Sequence, residues 1–296
     1  MKVFLAGHKG LVGSAILRTL KKRGYSNIIT ADKKKLDLLK QIEVNSFLKK
    51  KKPDIVIIAA ARVGGIYANQ TFRGQFIYEN LQIQNNLIHG SYINGVKNLI
   101  FLGSSCVYPK NCKQPIKEAY LMKGELEKTN DAYAIAKIAG IKMCESYNRQ
   151  YGEKYKIDYR CIMPTNLYGI GDNYHPENSH VIPGLIYRFH RAKLNKSPSV
   201  TIWGTGTPRR EFLYVDDMAR ASIYLMNLDK KIYYQYNSFN YSHINVGSGT
   251  ELTIKELAEN IKQVVGFKGQ INFDLNKSDG SLRKFLDSDR VNSLGF

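Results

Sequence analysis

VFLAGHKGLVGSAI, residues 3 to 16, is the stretch whose reading decides the fold. The apolar residues Val3 to Ala6 run straight into three glycines, Gly7, Gly10 and Gly13, and a stretch of helical period follows from Val12 to Lys22. A strand, a tight glycine turn and a helix in immediate succession form the opening unit of a dinucleotide-binding sheet. Glycine permits the turn and the close approach of a pyrophosphate, whose charge rests on the helix amino end. Gly13 lets the helix lie against the strand.

The pattern repeats outward from there. Apolar runs that read as strands (Val3 to Ala6, Ile28 to Ala31, Ile55 to Ala60, Leu99 to Gly103, Tyr159 to Met163) alternate with helical stretches (Val12 to Lys22, Leu39 to Lys50, Phe76 to Asn94, Tyr133 to Arg149). Regular alternation means βαβ units and a parallel sheet with helices on both faces. The fold class is therefore α/β, a Rossmann-type doubly wound parallel sheet. Beyond Pro164 the alternation loosens, with helices expected at Val181 to Lys193, Asp216 to Met226 and Leu252 to Val265, and strands at Val200 to Gly204 and Phe212 to Val215. We expect a dinucleotide-binding domain over 1–165 and a smaller α/β substrate domain over 166–296, with segments near 211–240 crossing back onto the first sheet.

A chain of 296 residues can bury a full core without staples. Its four cysteines, Cys106, Cys112, Cys144 and Cys161, show no CxxC spacing, so neither a disulfide framework nor a zinc ribbon is indicated and no metal is expected. A reducing cytoplasm fits this usage. The amino terminus is too short in apolar residues for a signal peptide, and Ile55 to Ala61 could not span a bilayer. The formal charge of +19 comes from 31 lysines and 13 arginines, many in runs such as Lys33 to Lys35 and Lys49 to Lys52. Such runs are solvated faces more often than nucleic-acid sites, so neither nucleic acid nor membrane is an expected partner. An anionic small substrate is the better use of a few of these cations.

Two further segments carry chemistry. GSSCVYP, residues 103 to 109, places Ser104 and Cys106 at the carboxyl end of an apolar run, where open α/β sheets bind ligands. Tyr133 and Lys137 stand four residues apart on a helix and share a face, so the ammonium is expected to favour the phenolate and draw the phenol down from its usual pKa of about 10. A tyrosine so tuned trades a proton with a substrate oxygen, and Ser104 can hydrogen bond the same oxygen.

GxxGxxG followed by a strand-end serine and YxxxK is the form of the extended short-chain dehydrogenase/reductases. Within them the chain resembles the GDP-L-fucose synthase family of epimerase/reductases, along AGHKGLVGSAI, AAARVGGI, FLGSSCVYPK, YAIAKIAGIKMCESYNRQYG, NSHVIPGL, GTPRREFLYVDDMA and RKFLD. The resemblance implies NADPH-dependent 3,5-epimerisation and 4-reduction of GDP-4-keto-6-deoxy-D-mannose to GDP-L-fucose by a homodimer. It also implies roles for single residues. Ser104, Tyr133 and Lys137 match the reductase triad, and Cys106 and His180 match the epimerisation acid and base. Gly7, Lys9, Gly10, Leu11, Val12, Gly13, Lys33 and Ala60, with Lys137, Pro164, Asn166, Leu167 and His180, fall where that family holds NADP(H). Arg188, Trp203, Arg210 and Lys284 fall where it contacts the GDP-sugar.

The chemistry suits these residue types. A ketone at C4 acidifies the hydrogens on C3 and C5, so one oxygen-binding site serves both enolates. Inversion needs a proton taken from one face and returned on the other, and a thiol (about 8.5) and an imidazole (about 6.5) both exchange protons near neutrality. Asp32 departs from the pattern, because an acid at the end of the second strand favours the 2'-hydroxyl of NAD. Lys9 and Lys33 to Lys35 supply cations against a 2'-phosphate, which favours NADPH. The family's sequence continues past the position of Gly295-Phe296, so a shortened carboxyl terminus is expected. Two alternatives stay open: an NAD-retaining GDP-sugar epimerase or dehydratase on the same fold, and a dinucleotide-binding regulator without catalysis.

Overall fold

The computed structural model describes residues 1–235, 242–277 and 279–296. The first half builds β1 (Val3–Ala6), α1 (Leu11–Lys22), β2 (Ile28–Ile29), α2 (Gln41–Lys51), β3 (Ile55–Ile58), α3 (Ile66–Thr71), α4 (Arg73–Ile93), β4 (Asn98–Leu102), α5 (Asp131–Tyr151) and β5 (Asp158–Pro164). The second half adds β6 (Asn166–Tyr168), α6 (Val181–Leu194), β7 (Ser199–Trp203), β8 (Arg209–Tyr214), α7 (Val215–Asn227), α8 (Lys230–Gln235), β9 (His243–Val246), β10 (Glu251–Thr253), α9 (Ile254–Val265), β11 (Gln270–Asp274), β12 (Arg283–Lys284) and α10 (Asp289–Ser293).

The main sheet has six strands in the order β2-β1-β3-β4-β5-β9, every pair parallel. Parallel strands covered on both faces bury every side chain, which is why β1 and β3 are unbroken apolar runs. Alternation sorts those side chains between two cores. Phe4, Val56, Leu99 and Tyr159 face α2, α4 and α5, whereas Val3, Leu5, Ile57 and Ile100 face α1 and α7. Each full burial of such a side chain is worth about 1.5–3 kcal/mol.

The order in which strands are added reverses between β1 and β3, with β2 on one side of β1 and β3 on the other. There the ends of two neighbouring strands part, which is where doubly wound sheets take their ligands.

The remainder forms a second unit. β8 pairs with β10 and β12 and also with β6, while β7 pairs with β11. Leu185, Phe189, Ile202, Leu257 and Phe267 make its core between α6 and α9. Two later elements return to the first sheet. Met218, Ala219 and Ile223 of α7 join the core under β1, and β9 adds the sixth strand beside β5. Residues 236–241 of the expected crossing segment lie outside the described residues. The second strand is shorter than expected, with only Ile28 and Ile29 in the sheet, since Ala31 and Asp32 already lead into a turn closed by the Asp32 carbonyl.

The glycine turn is required by backbone packing. Gly7 has φ +88°, and a Cβ there would lie 2.5 Å from the Ala60 nitrogen; a Cβ on Gly13 would lie 2.0 Å from the Gly7 oxygen. Gly10 has room, its Cβ position meeting only the Gly7 oxygen at 3.5 Å. Gly13→Ala is therefore expected to lose about 1–3 kcal/mol of stability together with cofactor binding. Gly10→Ala should melt near wild type and weaken only the cofactor. Thermal denaturation with NADPH titration separates the two.

Candidate active site

A cavity of about 340 Å³ opens between the main sheet and the second unit, at the carboxyl ends of the strands. Ser104, Cys106, Tyr133 and His180 line one part of it; Arg188, Trp203, Arg210 and Lys284 line the other. Residues more than 170 positions apart thus share one space. Lys137 lies beneath the wall, 3% exposed.

Each side chain is placed by its element. Ser104 follows β4 in extended conformation, and its hydroxyl accepts from the Cys106 amide at 3.4 Å, which starts a short turn over Ser105–Val107 and turns Cys106 inward. Tyr133 and Lys137 sit in the first turns of α5. The ring of Phe76 packs edge-on to Tyr133 at 6.3 Å. His180 precedes α6 and faces the cleft.

The electrostatics correct one expectation. Lys137 Nζ donates to the Leu102 carbonyl at 2.8 Å and stands 4.7 Å from the Phe101 ring centroid and 5.8 Å from that of Tyr133. Burial pushes the Tyr133 phenol up, not down, with Cys106 adding to the rise and Ser104 opposing it. The ammonium is committed to a carbonyl, so it does not draw out a phenolate. Tyr133 is instead a protonated acid. Burial also brings Lys137 down to about 8, against the pull of Cys106 and Cys161. The Cys106 thiol, 7% exposed, is raised by burial, and Lys284 opposes the rise most strongly. His180 is lowered by the protein crowded around it, with Asp172 opposing. Thiol and imidazole are both neutral at rest.

The lysine shift has a testable sign. Below about pH 8 Lys137 is charged in folded and unfolded chains alike, and its full burial cost is present. Between about 8 and the unfolded value of about 10.4 the folded chain has shed a proton that the unfolded chain keeps, so stability rises with pH. The melting-temperature advantage expected of Lys137→Met at about pH 7 should therefore shrink by about pH 10.

Of the residues assigned to the cofactor, Gly7 to Gly13 and Ala60 lie at the β1–β3 junction, Pro164 to Leu167 come at and after the end of β5, and Asn166 and His180 line the cavity itself. Gly10 caps α1 without a side-chain hydrogen bond, no acid occupies the first turn, and Lys21 and Lys22 end the helix. Its amino end therefore suits an anion. Leu11, Val12 and Leu167 are half-buried against the core under α1, Ala60 closes on Gly7, and Pro164 ends β5. Asn166 Nδ2 donates to the Glu211 carbonyl at 2.8 Å, which ties this segment to the second unit. Lys9 Nζ stands 3.6 Å from Asp32, and Lys33 is exposed on the turn that follows.

In the second unit burial lowers Arg188, Arg210 and Lys284, three cations in one wall. Arg188 is held by the Gly184 and Thr201 carbonyls, at 3.3 and 3.0 Å. Trp203 is 49% exposed beside them. Asp279 and Asn69 also line the cavity and were not singled out in the sequence. Asp279 accepts from the Thr205 amide and hydroxyl, each at 2.8 Å, and closes the turn at Gly204. Only the Asp-Gly turn dipeptide hinted at it. Among the described residues no group of three His, Cys, Asp or Glu could hold a metal ion, and no helix is long and apolar enough to cross a membrane.

A glycine turn at the head of a doubly wound sheet, with a strand-end serine and YxxxK beside it, defines a dinucleotide-dependent enzyme of the extended short-chain type. The chain belongs to the NAD dependent epimerase/dehydratase family, whose model matches residues 3–247. Among that family's members it is similar to the GDP-L-fucose synthases. It is 53% identical over 295 residues to the GDP-L-fucose synthase of Escherichia coli (strain K12), covering 100% of this chain and 91% of that protein. To GDP-L-fucose synthase 1 of Arabidopsis thaliana it is 52% identical, covering 100% and 87%. Among solved structures, a GDP-6-OMe-4-keto-L-xylo-heptose reductase from Campylobacter jejuni superposes with a TM-score of 0.93 at 39% identity, covering 100% of this chain and 92% of that one. A GDP-L-fucose synthetase from Naegleria fowleri bound to NADP gives 0.87 at 29% identity, covering 99% and 87%.

Proposed function

We propose that this enzyme epimerises GDP-4-keto-6-deoxy-D-mannose at C3 and C5 and reduces it at C4, with NADPH, to GDP-L-fucose. The observation that carries the reading is the one cavity in which Ser104, Cys106, Tyr133 and His180 meet three half-buried cations and an open tryptophan face. The region 1–165 holds the cofactor, and the region 166–296 holds most of the nucleotide sugar. Arg188, Arg210 and Lys284 neutralise its pyrophosphate and Trp203 offers a ring to the base. The sugar then lies toward Cys106 and Tyr133.

NADPH, when bound over Gly7, Gly10 and Gly13, supplies hydride to C4. Ser104 and Tyr133 bind the C4 oxygen, which stabilises the enolate formed on either side of it. Cys106 and His180 start neutral, and one proton transfer through the substrate leaves thiolate and imidazolium, so each group serves once as acid or base in an inversion. Lys284 opposes the effect of burial on the thiol and keeps its thiolate within reach. Tyr133, whose phenol burial pushes up and so keeps protonated, gives its proton to the oxygen on reduction.

Incubation with GDP-4-keto-6-deoxymannose and NADPH, followed by identification of the sugar, tests the reading. GDP-L-fucose with stoichiometric NADPH oxidation is expected. An epimerised or dehydrated product without net oxidation would point to the cofactor-retaining sister chemistry. Cofactor choice follows from Lys9 and Lys33 to Lys35 outweighing Asp32, so KM should be lower for NADPH than for NADH. Lys9→Glu should shrink that gap, and an unchanged ratio would remove Lys9 from the argument.

A cytoplasmic homodimer completes the proposal. All four cysteines are free, as suits a reducing compartment. Tyr92, Tyr147 and Tyr151 stack in a partly exposed aromatic group on α4 and α5, a surface suited to a second copy. Light scattering after size exclusion gives the state directly.

A further inference from the structure

Glu211 of β8 is a carboxylate with no exposed surface, held by three backbone amides. Its Oε1 accepts from the amides of Ser248 and Gly249, at 2.7 and 2.9 Å, in the turn that follows β9. Its Oε2 accepts from the Leu286 amide at 3.1 Å, just past β12. The packing leaves no slack, since a Cβ on Gly247 would lie 2.3 Å from Oε1. The Glu211 carbonyl is used as well, by the Thr165 hydroxyl at 3.2 Å and Asn166 Nδ2 at 2.8 Å, just after β5. One residue thus ties the ends of two main-sheet strands to the strand that carries Lys284.

The bond to Leu286 fixes where that lysine lies. β12 is only Arg283–Lys284, and Lys284 stands in register with Arg210 of β8. Both side chains line the cavity. The amides on either side of Leu286, those of Phe285 and Asp287, donate to Gln114 and Ile116, so the Leu286 amide is the one that turns back to β8. Glu211 follows Arg210 on the strand, and alternation sends its side chain to the opposite face. Lys284 is also the group that most strongly opposes the effect of burial on the Cys106 thiol.

We infer that the Glu211 carboxylate is a positioning residue for epimerisation: by holding the Leu286 amide it keeps Lys284 in the cavity where Cys106 exchanges its proton with the sugar. This rests on the reaction proposed above. Glu211 is not among the cavity's lining residues and acts through Lys284.

Glu211→Gln isolates the role. A carboxylate accepts from all three amides at once, whereas a carboxamide keeps one acceptor oxygen and turns an NH2 toward the remaining donor. The oxygen stays with Ser248 and Gly249, which offer two bonds against one, and the Leu286 amide loses its partner. The bonds of Thr165 and Asn166 to the backbone carbonyl are untouched.

The test is a cycle of wild type, Glu211→Gln, Lys284→Met and the double variant, with melting temperature and NADPH titration as folding controls. Solvent-deuterium wash-in at C3 and C5 of GDP-4-keto-6-deoxymannose is compared with NADPH oxidation at saturating sugar. In Glu211→Gln wash-in should fall about 10-fold and KM for the sugar should rise, while oxidation stays within about threefold of wild type. Lys284→Met should slow wash-in at least as much, and the double variant should be within about twofold of Lys284→Met. Equal losses of exchange and oxidation, losses that multiply in the double variant, or a Lys284→Met that exchanges like wild type would each overturn the inference. If Glu211→Gln does not fold, Glu211→Asp, one methylene too short to reach both segments, takes its place in the cycle; failure of both to fold makes Glu211 a support of the fold alone and overturns the inference too. A wild type that neither exchanges deuterium nor oxidises NADPH with this sugar overturns the reaction itself, whereas an active wild type with independent losses overturns the assignment of Glu211 alone.

Discussion

Tyr133→Phe is expected to lose C4 reduction by roughly 10²–10⁴-fold while binding NADPH as before. That range corresponds to about 3–5.5 kcal/mol of the barrier. The phenol is half-buried, protonated and packed against Phe76, and the variant keeps the ring and that contact. Only the proton and the hydrogen bond proposed to the C4 oxygen are removed. Ser104 remains to bind the oxygen, so deuterium exchange at C3 and C5 should survive in part. Stopped-flow NADPH oxidation reads the first quantity and mass spectrometry of the recovered sugar the second. A variant that reduces at near wild-type rate would exclude Tyr133 as the acid.

The second large effect falls on Cys106→Ser. Serine is close in size, and the site is the inward residue of a three-residue turn whose amide bond to Ser104 does not use the sulfur, so the variant should fold and bind NADPH. A serine hydroxyl cannot carry a proton out and back near pH 7, whereas a thiol can, even one raised by burial, because Lys284 opposes the rise. Wash-in of solvent deuterium at C3, C5 or both should fall by about 10²-fold or more. On the proposed roles, hydride transfer needs only Ser104, Tyr133 and Lys137 beside the cofactor. The variant should therefore release a GDP-6-deoxyhexose reduced at C4 without inversion. Unchanged GDP-L-fucose output with normal exchange at both carbons would return Cys106 to a small apolar filler.

Both experiments turn on how the groups are tuned, and here the sequence misled in one respect. Four-residue spacing puts Tyr133 and Lys137 on one face of α5, as it must on any helix. It does not say where the ammonium points. The Leu102 carbonyl, on a strand 35 positions earlier, takes the Lys137 proton donor at 2.8 Å. The electrostatic direction on Tyr133 then follows from burial. Asn69 went unnoticed for a related reason: an asparagine two residues before Thr71 has no local signature, and it lines the cavity only once α3 is folded.

The sequence by itself determined whatever depends on near neighbours. The βα alternation, the demand for glycine at residues 7 and 13, and the pairing of Tyr133 with Lys137 follow from period, chirality and spacing within a dozen residues. Tertiary structure decided what depends on distant ones. It brought Ser104, His180, Arg188 and Lys284 into one cavity and returned α7 and β9 to the first sheet. It set the electrostatic direction on Tyr133, whose phenol burial pushes up. The reason is that burial is a sum over elements far apart in the chain, and no window of sequence contains that sum.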